Sequence, residues 1–209
     1  SEPIGDYDSL SRSLVDLPSN LVGSDDVKID VDILDVSDYL FDHGVASDSI
    51  ARLLDDIGEL TRIAKWYIKQ ETMPSEYETV AYLVLPLFRA LGWTPQRMAV
   101  EWNRVDVALF RTLPRSDENL TVVVEAKKMG DACLTAVSQA AEYASTREGC
   151  RRLIVTDGLR YGVYTKIGES DFTLKAYLNL TRLKNSYPIY CCEGAETALL
   201  AMAPEWNYS

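Results

Sequence analysis

Two side chains in this 209-residue chain, Glu125 and Lys127, have types and spacing suited to holding a divalent cation and acting on its bound water, and a further carboxylate, Asp106, opens an earlier apolar stretch. Glu125 and Lys127 close an apolar run, Leu120-Thr-Val-Val-Val-Glu-Ala-Lys-Lys128, whose Thr and Val content reads as a strand from the middle of a sheet. Residues two apart on a strand share a side, so the Glu125 carboxylate and the Lys127 ammonium emerge together at the strand's end. A carboxylate holds a hard divalent cation, and a lysine beside it polarises or deprotonates water. Glu-Ala-Lys alone reads more readily as a strand end reaching solvent with an ion pair, so the surrounding elements decide.

Those elements follow from periodicity. Residues 1–26 are rich in Ser, Asp and Gly and read as a loosely ordered arm. From Val27 the alternation Val-Lys-Ile-Asp-Val-Asp-Ile predicts a half-buried edge strand. A helix is expected from Ser47 to about Gln70, capped by Ser47 or Asp48, with Ile50, Leu53, Ile57, Leu60 and Ala64 on one stripe. A second opens at Ser75, with Glu78 in capping-box position, and runs to Leu91, where Gly92 stops it. Pro86 inside it predicts a kink. Strands follow at 98–102 and 105–110 about a turn at Asn103-Arg104, with Asp106 opening the second, then at 120–126. An Ala-rich helix over 132–146, strands at 152–156, 161–165 and 172–180, and a short helix over 196–202 complete the chain. The pattern predicts an α/β (α+β) fold, a mixed sheet flanked by helices with an acidic N-terminal extension. The expected division is an arm over 1–46 and a domain over 47–209.

Composition removes several alternatives. No apolar run approaches a membrane span, and no basic region followed by an apolar core opens the chain, so a soluble, cytoplasmic protein is expected. The first residue is Ser rather than Met, as in a trimmed chain or a piece of a longer protein. Cys133, Cys150, Cys191 and Cys192 show no CxxC spacing and His43 is the single histidine, which argues against a Cys/His zinc site and a Ser-His-Asp triad. There is no Gly-x-x-x-x-Gly-Lys-Ser/Thr phosphate loop, so a nucleotide-driven motor would be a separate domain or protein. The net charge of −11 opposes a polyanion, yet residues 1–60 hold 15 Asp and Glu against 3 Lys and Arg, and residues 61–209 hold 17 against 18. The later part is free to carry a basic face, which the front either shields or simply packs beside.

In their order the motifs resemble the PD-(D/E)XK nuclease superfamily. More narrowly they are similar to the N-terminal nuclease domain of type I restriction enzyme motor subunits and its stand-alone relatives. The resemblance spans residues 75–185. Ser75-Glu76-Tyr-Glu-Thr79, then Leu85-Pro86-Leu-Phe and Leu91-Gly92-Trp93, looks like the family's opening helix, with an acidic residue facing the metal site. Val105-Asp106 stands at the metal-binding Asp and Glu125-Ala-Lys127 at E-x-K. Gln139-Ala-Ala-Glu-Tyr143 resembles the Q-x-x-x-Y element, and Val155-Thr-Asp-Gly158 with Tyr161-Gly-Val-Tyr164 the hairpin that follows. The chain departs at Asp157, where Asn is usual and a turn residue is read either way, and at Val80, where many relatives carry a basic residue.

The resemblance implies an endonuclease acting on DNA in restriction or another defence role, with other restriction subunits as partners and no membrane. Its cofactor would be Mg²⁺, with Mn²⁺ able to substitute. Asp106, Glu125 and the Ala126 carbonyl would be the metal ligands, Lys127 would act on the attacking water, and Gln139 would hydrogen-bond near the site. Glu76 would bind a second metal or position a water, with Glu78 as its alternate. Lys128, Arg147, Arg151, Arg152 and Arg160 are possible DNA-steering charges, and the tryptophans Trp66, Trp93, Trp102 and Trp206 read as packing residues rather than base platforms. A module that keeps this fold without turnover is the alternative reading.

Overall fold

The computed structural model describes residues 31–131, 137–187 and 190–204. The arm over 1–26, the start of the predicted Val27 strand, Cys133 and Trp206 lie outside these residues.

The first described element is a helix. Asp32 accepts hydrogen bonds from the Leu34 and Asp35 amides, and the Asp35 carboxylate accepts one from the Asp32 amide. This reciprocal capping box opens helix α1 (Ile33–Asp42), which meets the predicted Val27 strand only at Ile33, most of that strand lying outside the described residues. Val36 and Leu40 of α1 are buried in the core, so the packed layer reaches back past residue 47. Helix α2 (Ser47–Lys69) buries the expected stripe of Ile50, Leu53, Ile57, Leu60 and Ala64. Its N-cap is Ala46, without a side-chain cap bond, rather than Ser47 or Asp48.

The Ser75 capping box forms as predicted, with Ser75 and Glu78 exchanging side-chain-to-amide bonds of 2.8 and 3.1 Å. The helix it opens is continuous but changes pitch: α3 (Glu76–Thr79), a π-helical stretch (Val80–Val84) and α4 (Leu85–Ala90). Pro86 has no N–H to donate to the preceding turn and lies in the first turn of α4. The chain meets it by widening the preceding turn into a π stretch, a recognised way of absorbing a lost rung. Trp93 is buried just beyond and donates its indole N–H to the Met202 carbonyl at 2.8 Å.

A single sheet follows, in the order β1-β2-β3-β4-β5-β6-β8-β7. Its strands are β1 (Met98–Trp102), β2 (Val105–Phe110), β3 (Leu120–Ala126), β4 (Arg152–Thr156), β5 (Arg160–Ile167), β6 (Asp171–Asn179), β7 (Ser186–Tyr187) and β8 (Cys192–Glu193). Pairing is antiparallel except between β3 and β4 and between β6 and β8. The β3–β4 crossover contains helix α5 (Val137–Ser145), and helix α6 (Ala195–Met202) ends the described fold.

β3 is buried along its whole length because both faces are covered. Val122, Val124 and Ala126 point into a cluster made with α1, α2, the Glu76–Ala90 helix and α6. Val123 points the other way, into a cluster with Ala140 and Ala144 of α5 and with Leu153, Val155 and Tyr164. A central strand covered on both sides reads as a nearly continuous apolar run, which is why it is the most legible stretch of the sequence. The described structure is thus a mixed α+β fold, a mostly antiparallel sheet flanked by helices. None of its helices is long and apolar enough to cross a membrane.

Candidate functional site

The site forms where β2 and β3 part. Their ladder pairs Val107 with Val124 and continues toward Phe110 and Leu120, leaving the other ends of both strands outside the pairing. The Ala126 amide, just beyond the paired stretch, donates instead to Asp106 Oδ2 at 2.7 Å. Strand alternation places Glu125 on the same face as Val123, on the α5 side, whereas Asp106 lines a cleft on the side of the opening helix with Glu76, Val80 and Leu85. On the far side of β3 the Lys127 amide donates to the Thr156 carbonyl at 2.7 Å, extending the β3–β4 ladder by one residue and holding Lys127 beside them.

The electrostatics record this proximity. Burial raises the Glu125 carboxyl first, the Asp106 charge raises it further, Lys127 pulls it back and Glu76 pushes again, bringing it up to about 7. Glu125 is only 7% exposed. Asp106 is also raised, mainly by burial, against the Ala126 hydrogen bond and the Lys127 charge that lower it, with Glu101 raising it. Glu125 is therefore within electrostatic reach of Asp106, Lys127 and Glu76, and Asp106 within reach of Lys127 and Glu101.

Two clefts flank the pair. One, of about 580 Å³, lies between the Glu76 helix and the β1–β2 hairpin, and Glu76, Tyr77, Val100, Glu101 and Asp106 line it. The other, of about 610 Å³, lies against α5, where Arg104, Glu125, Gln139, Tyr143 and Arg147 form the walls. Glu76 and Gln139 are exposed side chains on opposite rims. Glu78 is committed to the Ser75 cap and lies within electrostatic reach of Tyr67, so Glu76 is the carboxylate that lines the cleft with Asp106. Tyr143 serves as a brace: its hydroxyl accepts from Asn103 Nδ2 at 3.2 Å, and Arg147 stacks over its ring at 3.4 Å.

Three further residues shape the site without having been singled out in the sequence. Glu101 sits opposite Asp106, bracketed by the pairs Val100–Val107 and Trp102–Val105, with a left-handed φ of 55°. The two-residue turn at Asn103-Arg104 implied that register. Thr79, fully buried, accepts the Met129 amide at 3.3 Å, tying the opening helix to the segment after Lys127. Asp157, read as a turn residue, is a buried hub. Its Oδ1 accepts from the Leu159 and Arg160 amides, its Oδ2 from the Gly130 amide, and it forms an ion pair with Arg160, both side chains being fully buried.

Two of the basic residues offered as DNA-steering charges are thereby corrected. Arg160 spends its guanidinium on Asp157 and on the Asp131 carbonyl, and Arg152 is buried and donates to the Ala201 carbonyl. A guanidinium inside a core needs internal acceptors and cannot also meet solvent-borne phosphate. Lys128 and Arg151 are exposed and Arg147 is half-buried. Of the tryptophans, Trp93 packs in the core, Trp102 is half-buried against Phe110, and Trp66 is 56% exposed.

No family model and no curated protein matches the chain. Among solved structures it resembles a fragment described as the HsdR subunit of a type I restriction enzyme from Vibrio vulnificus YJ016, with a TM-score of 0.36 and 21% identity. The match covers 44% of this chain and 21% of that one. It assigns no activity here.

The donor set suits a hard divalent cation: two carboxylates whose charges oppose each other in a partly buried place, next to the β3 end at Ala126. Among the described residues no group of three or more His, Cys, Asp or Glu side chains converges to hold a metal. A cation here would therefore have two protein carboxylates and draw its other ligands from carbonyl, water or substrate oxygens, a pattern that suits Mg²⁺ better than Ca²⁺ or Zn²⁺.

Proposed function

We propose that the chain is a divalent-cation-dependent endonuclease domain that hydrolyses DNA phosphodiester bonds, in restriction or a related defence system. The observation that carries this reading is the convergence of Asp106, Glu125 and Lys127 where β2 and β3 part, between two open clefts. Asp106, Glu125 and the Ala126 carbonyl would hold Mg²⁺, or Mn²⁺ in its place, which would supply positive charge against the phosphoryl oxygens. Lys127 orients the attacking water and takes up charge developing at the phosphate. Glu76 positions water from one rim, and Gln139 hydrogen-bonds the substrate from the other. Asp106 does a second job: by accepting the Ala126 amide it fixes the end of β3 and hence the spacing of Glu125 from itself.

One feature favours a module that binds nucleic acid or organises a larger complex without turnover. One oxygen of Asp106 is already engaged by a main-chain N–H, and among the described residues no third carboxylate completes a protein cage. Incubation of the full chain with supercoiled plasmid and Mg²⁺ or Mn²⁺ separates the two. Cleavage is expected, with loss of at least about 100-fold in Asp106→Ala and Lys127→Ala, the range seen when groups that stabilise transition-state charge are removed. Cleavage that persists in both variants would remove these residues from the chemistry. A folded wild-type chain that binds DNA and never nicks it would leave the silent module.

A further inference from the structure

The geometry points to a phosphate-backbone groove that starts at Glu125 and ends at a distal basic subsite made by Arg151, Lys166 and Lys175, holding the DNA strand several phosphates from the cut. This rests on the nuclease reading and adds the path of the substrate to it.

Three clefts lie in series along the α5 side of the sheet, of about 610, 580 and 640 Å³. The first, which Glu125 lines, shares Thr146 and Arg147 with the second. The second shares Thr146, Glu148 and Arg151 with the third. Shared walls make them one groove, turning about the C-terminal end of α5. Thr121, four residues back from Glu125 along β3, lines the middle cleft. At about 3.3 Å per residue that is ~13 Å from the first cleft to the second, and the third lies beyond it, so the groove is long enough for several phosphates of one strand.

The distal end has the side chains that phosphate backbones are held by. Arg151 is exposed, Lys166 and Lys175 are half-exposed, and among the described residues none of the three forms an ion pair. The Lys166 amide donates to the Arg151 carbonyl at 3.0 Å, which fixes two of them side by side. Thr146 and Thr165 add hydroxyl donors on the same walls. Arg, Lys and hydroxyl donors without base-reading amides suit sequence-independent contact with phosphates. Glu148 and Glu169 also line this end, so the positive excess is small and placed rather than diffuse.

The test is DNA binding without divalent cation, in EDTA, which does not depend on cleavage. Fluorescence anisotropy of the full chain with labelled hairpin duplexes of about 5 and about 14 base pairs is compared with the variant Arg151→Gln/Lys166→Gln/Lys175→Gln. Three lost phosphate contacts lower the slope of log K against log salt by about 2.7, so wild type loses about 40-fold more affinity than the variant between 50 and 200 mM salt. The variant should also lose wild type's preference for the longer duplex. If the triple variant does not fold, Arg151→Glu alone carries the test, with the same direction expected. Unchanged affinity, slope and length preference in a folded variant overturns the groove and leaves the nuclease reading intact. Unchanged DNA binding with lost affinity for polyglutamate would place an acidic polypeptide there instead, and also overturns it. A wild-type chain that binds as proposed yet never cuts would keep the groove and end the nuclease reading.

Discussion

Replacing Asp157 by Asn keeps the side chain's shape and removes only its charge and one acceptor, so it isolates what the buried hub contributes. In the wild-type chain Asp157 Oδ1 accepts from the Leu159 amide at 3.1 Å and the Arg160 amide at 2.8 Å. Its Oδ2 accepts from the Gly130 amide and from Arg160 Nε, both at 3.0 Å, and from the same guanidinium's Nη2. Asn can keep the two Oδ1 bonds. Its amide nitrogen then faces three donors, and the Arg160 cation is left inside the fold without its counter-charge. Hydrogen bonds to a charged group contribute about 1.5–3 kcal/mol each, and breaking one partner of a buried ion pair costs about 3–5 kcal/mol, so the lost bonds are not additive and ~4 kcal/mol is expected. Urea unfolding followed by tryptophan fluorescence measures it. At about 2–4 °C per kcal/mol for a chain of this size, a thermal scan should show a fall on the order of 10 °C. Arg160→Met alone should cost about 3 kcal/mol, because three main-chain amides still serve the carboxylate. The double variant should then be more stable than the sum of the singles implies by about 2 kcal/mol. An Asp157→Asn chain within about 1 kcal/mol of wild type, or strict additivity in the cycle, would show that the pair is not coupled as described.

Three other outcomes follow from the same coordinates. Glu125 is raised from its ordinary value of 4.5 to about 7, so between those values the folded chain holds a proton that the unfolded chain has lost, and stability falls as pH rises through that window; Glu125→Gln in EDTA should flatten the fall and stabilise the chain by up to ~3 kcal/mol near pH 8, and a parallel pH profile would refute this. Gly158 has φ +87°, and an added Cβ would lie 2.9 Å from Leu83 and 3.0 Å from Thr79, so Gly158→Ala should cost about 2–4 kcal/mol in chemical denaturation, from left-handed strain and overpacking together. Burial pushes the Cys150 thiol up to about 12, so iodoacetamide mapping from pH 7 to 9 should label exposed Cys191 and spare Cys150 until the chain is unfolded.

Strand-forming segments and the Ser75 cap were legible in the sequence because each signal is local. β3 announces itself by a run of Thr and Val, and Ser75 with Glu78 satisfies one another within a single turn. Helix α1 was not legible: no element was expected over its residues beyond Ile33, and the cap that opens it pairs Asp32 with Asp35, without the Glu or Gln at the third position that marks a capping box in sequence. The bend expected at Pro86 became a change of pitch, because the lost hydrogen bond can be absorbed by the turn before it as well as by an angle. Asp106, Glu125 and Lys127 were recognisable from spacing, and the structure places them within electrostatic reach of one another. Arg152 and Arg160 were misread because nothing local distinguishes a solvated arginine from one whose acceptor, such as the Ala201 carbonyl, lies far along the chain.

The parallel pairing of β3 with β4 divides the sheet by sequence separation. β1 to β3 form one meander and β4 to β6 another, each zipped through neighbours close in the chain, whereas the β3–β4 seam closes only after the crossover through α5. Contacts that close longer loops form at a higher entropic cost and therefore later. Asp106 and Glu125 both belong to the first meander, while the main-chain bond of Lys127 to Thr156 reaches across the seam. The carboxylate pair therefore depends on pairing between neighbours in the chain, whereas the main-chain anchor of the lysine depends on the long-range β3–β4 seam, so a change that loosens that seam reaches Lys127 before it reaches Asp106.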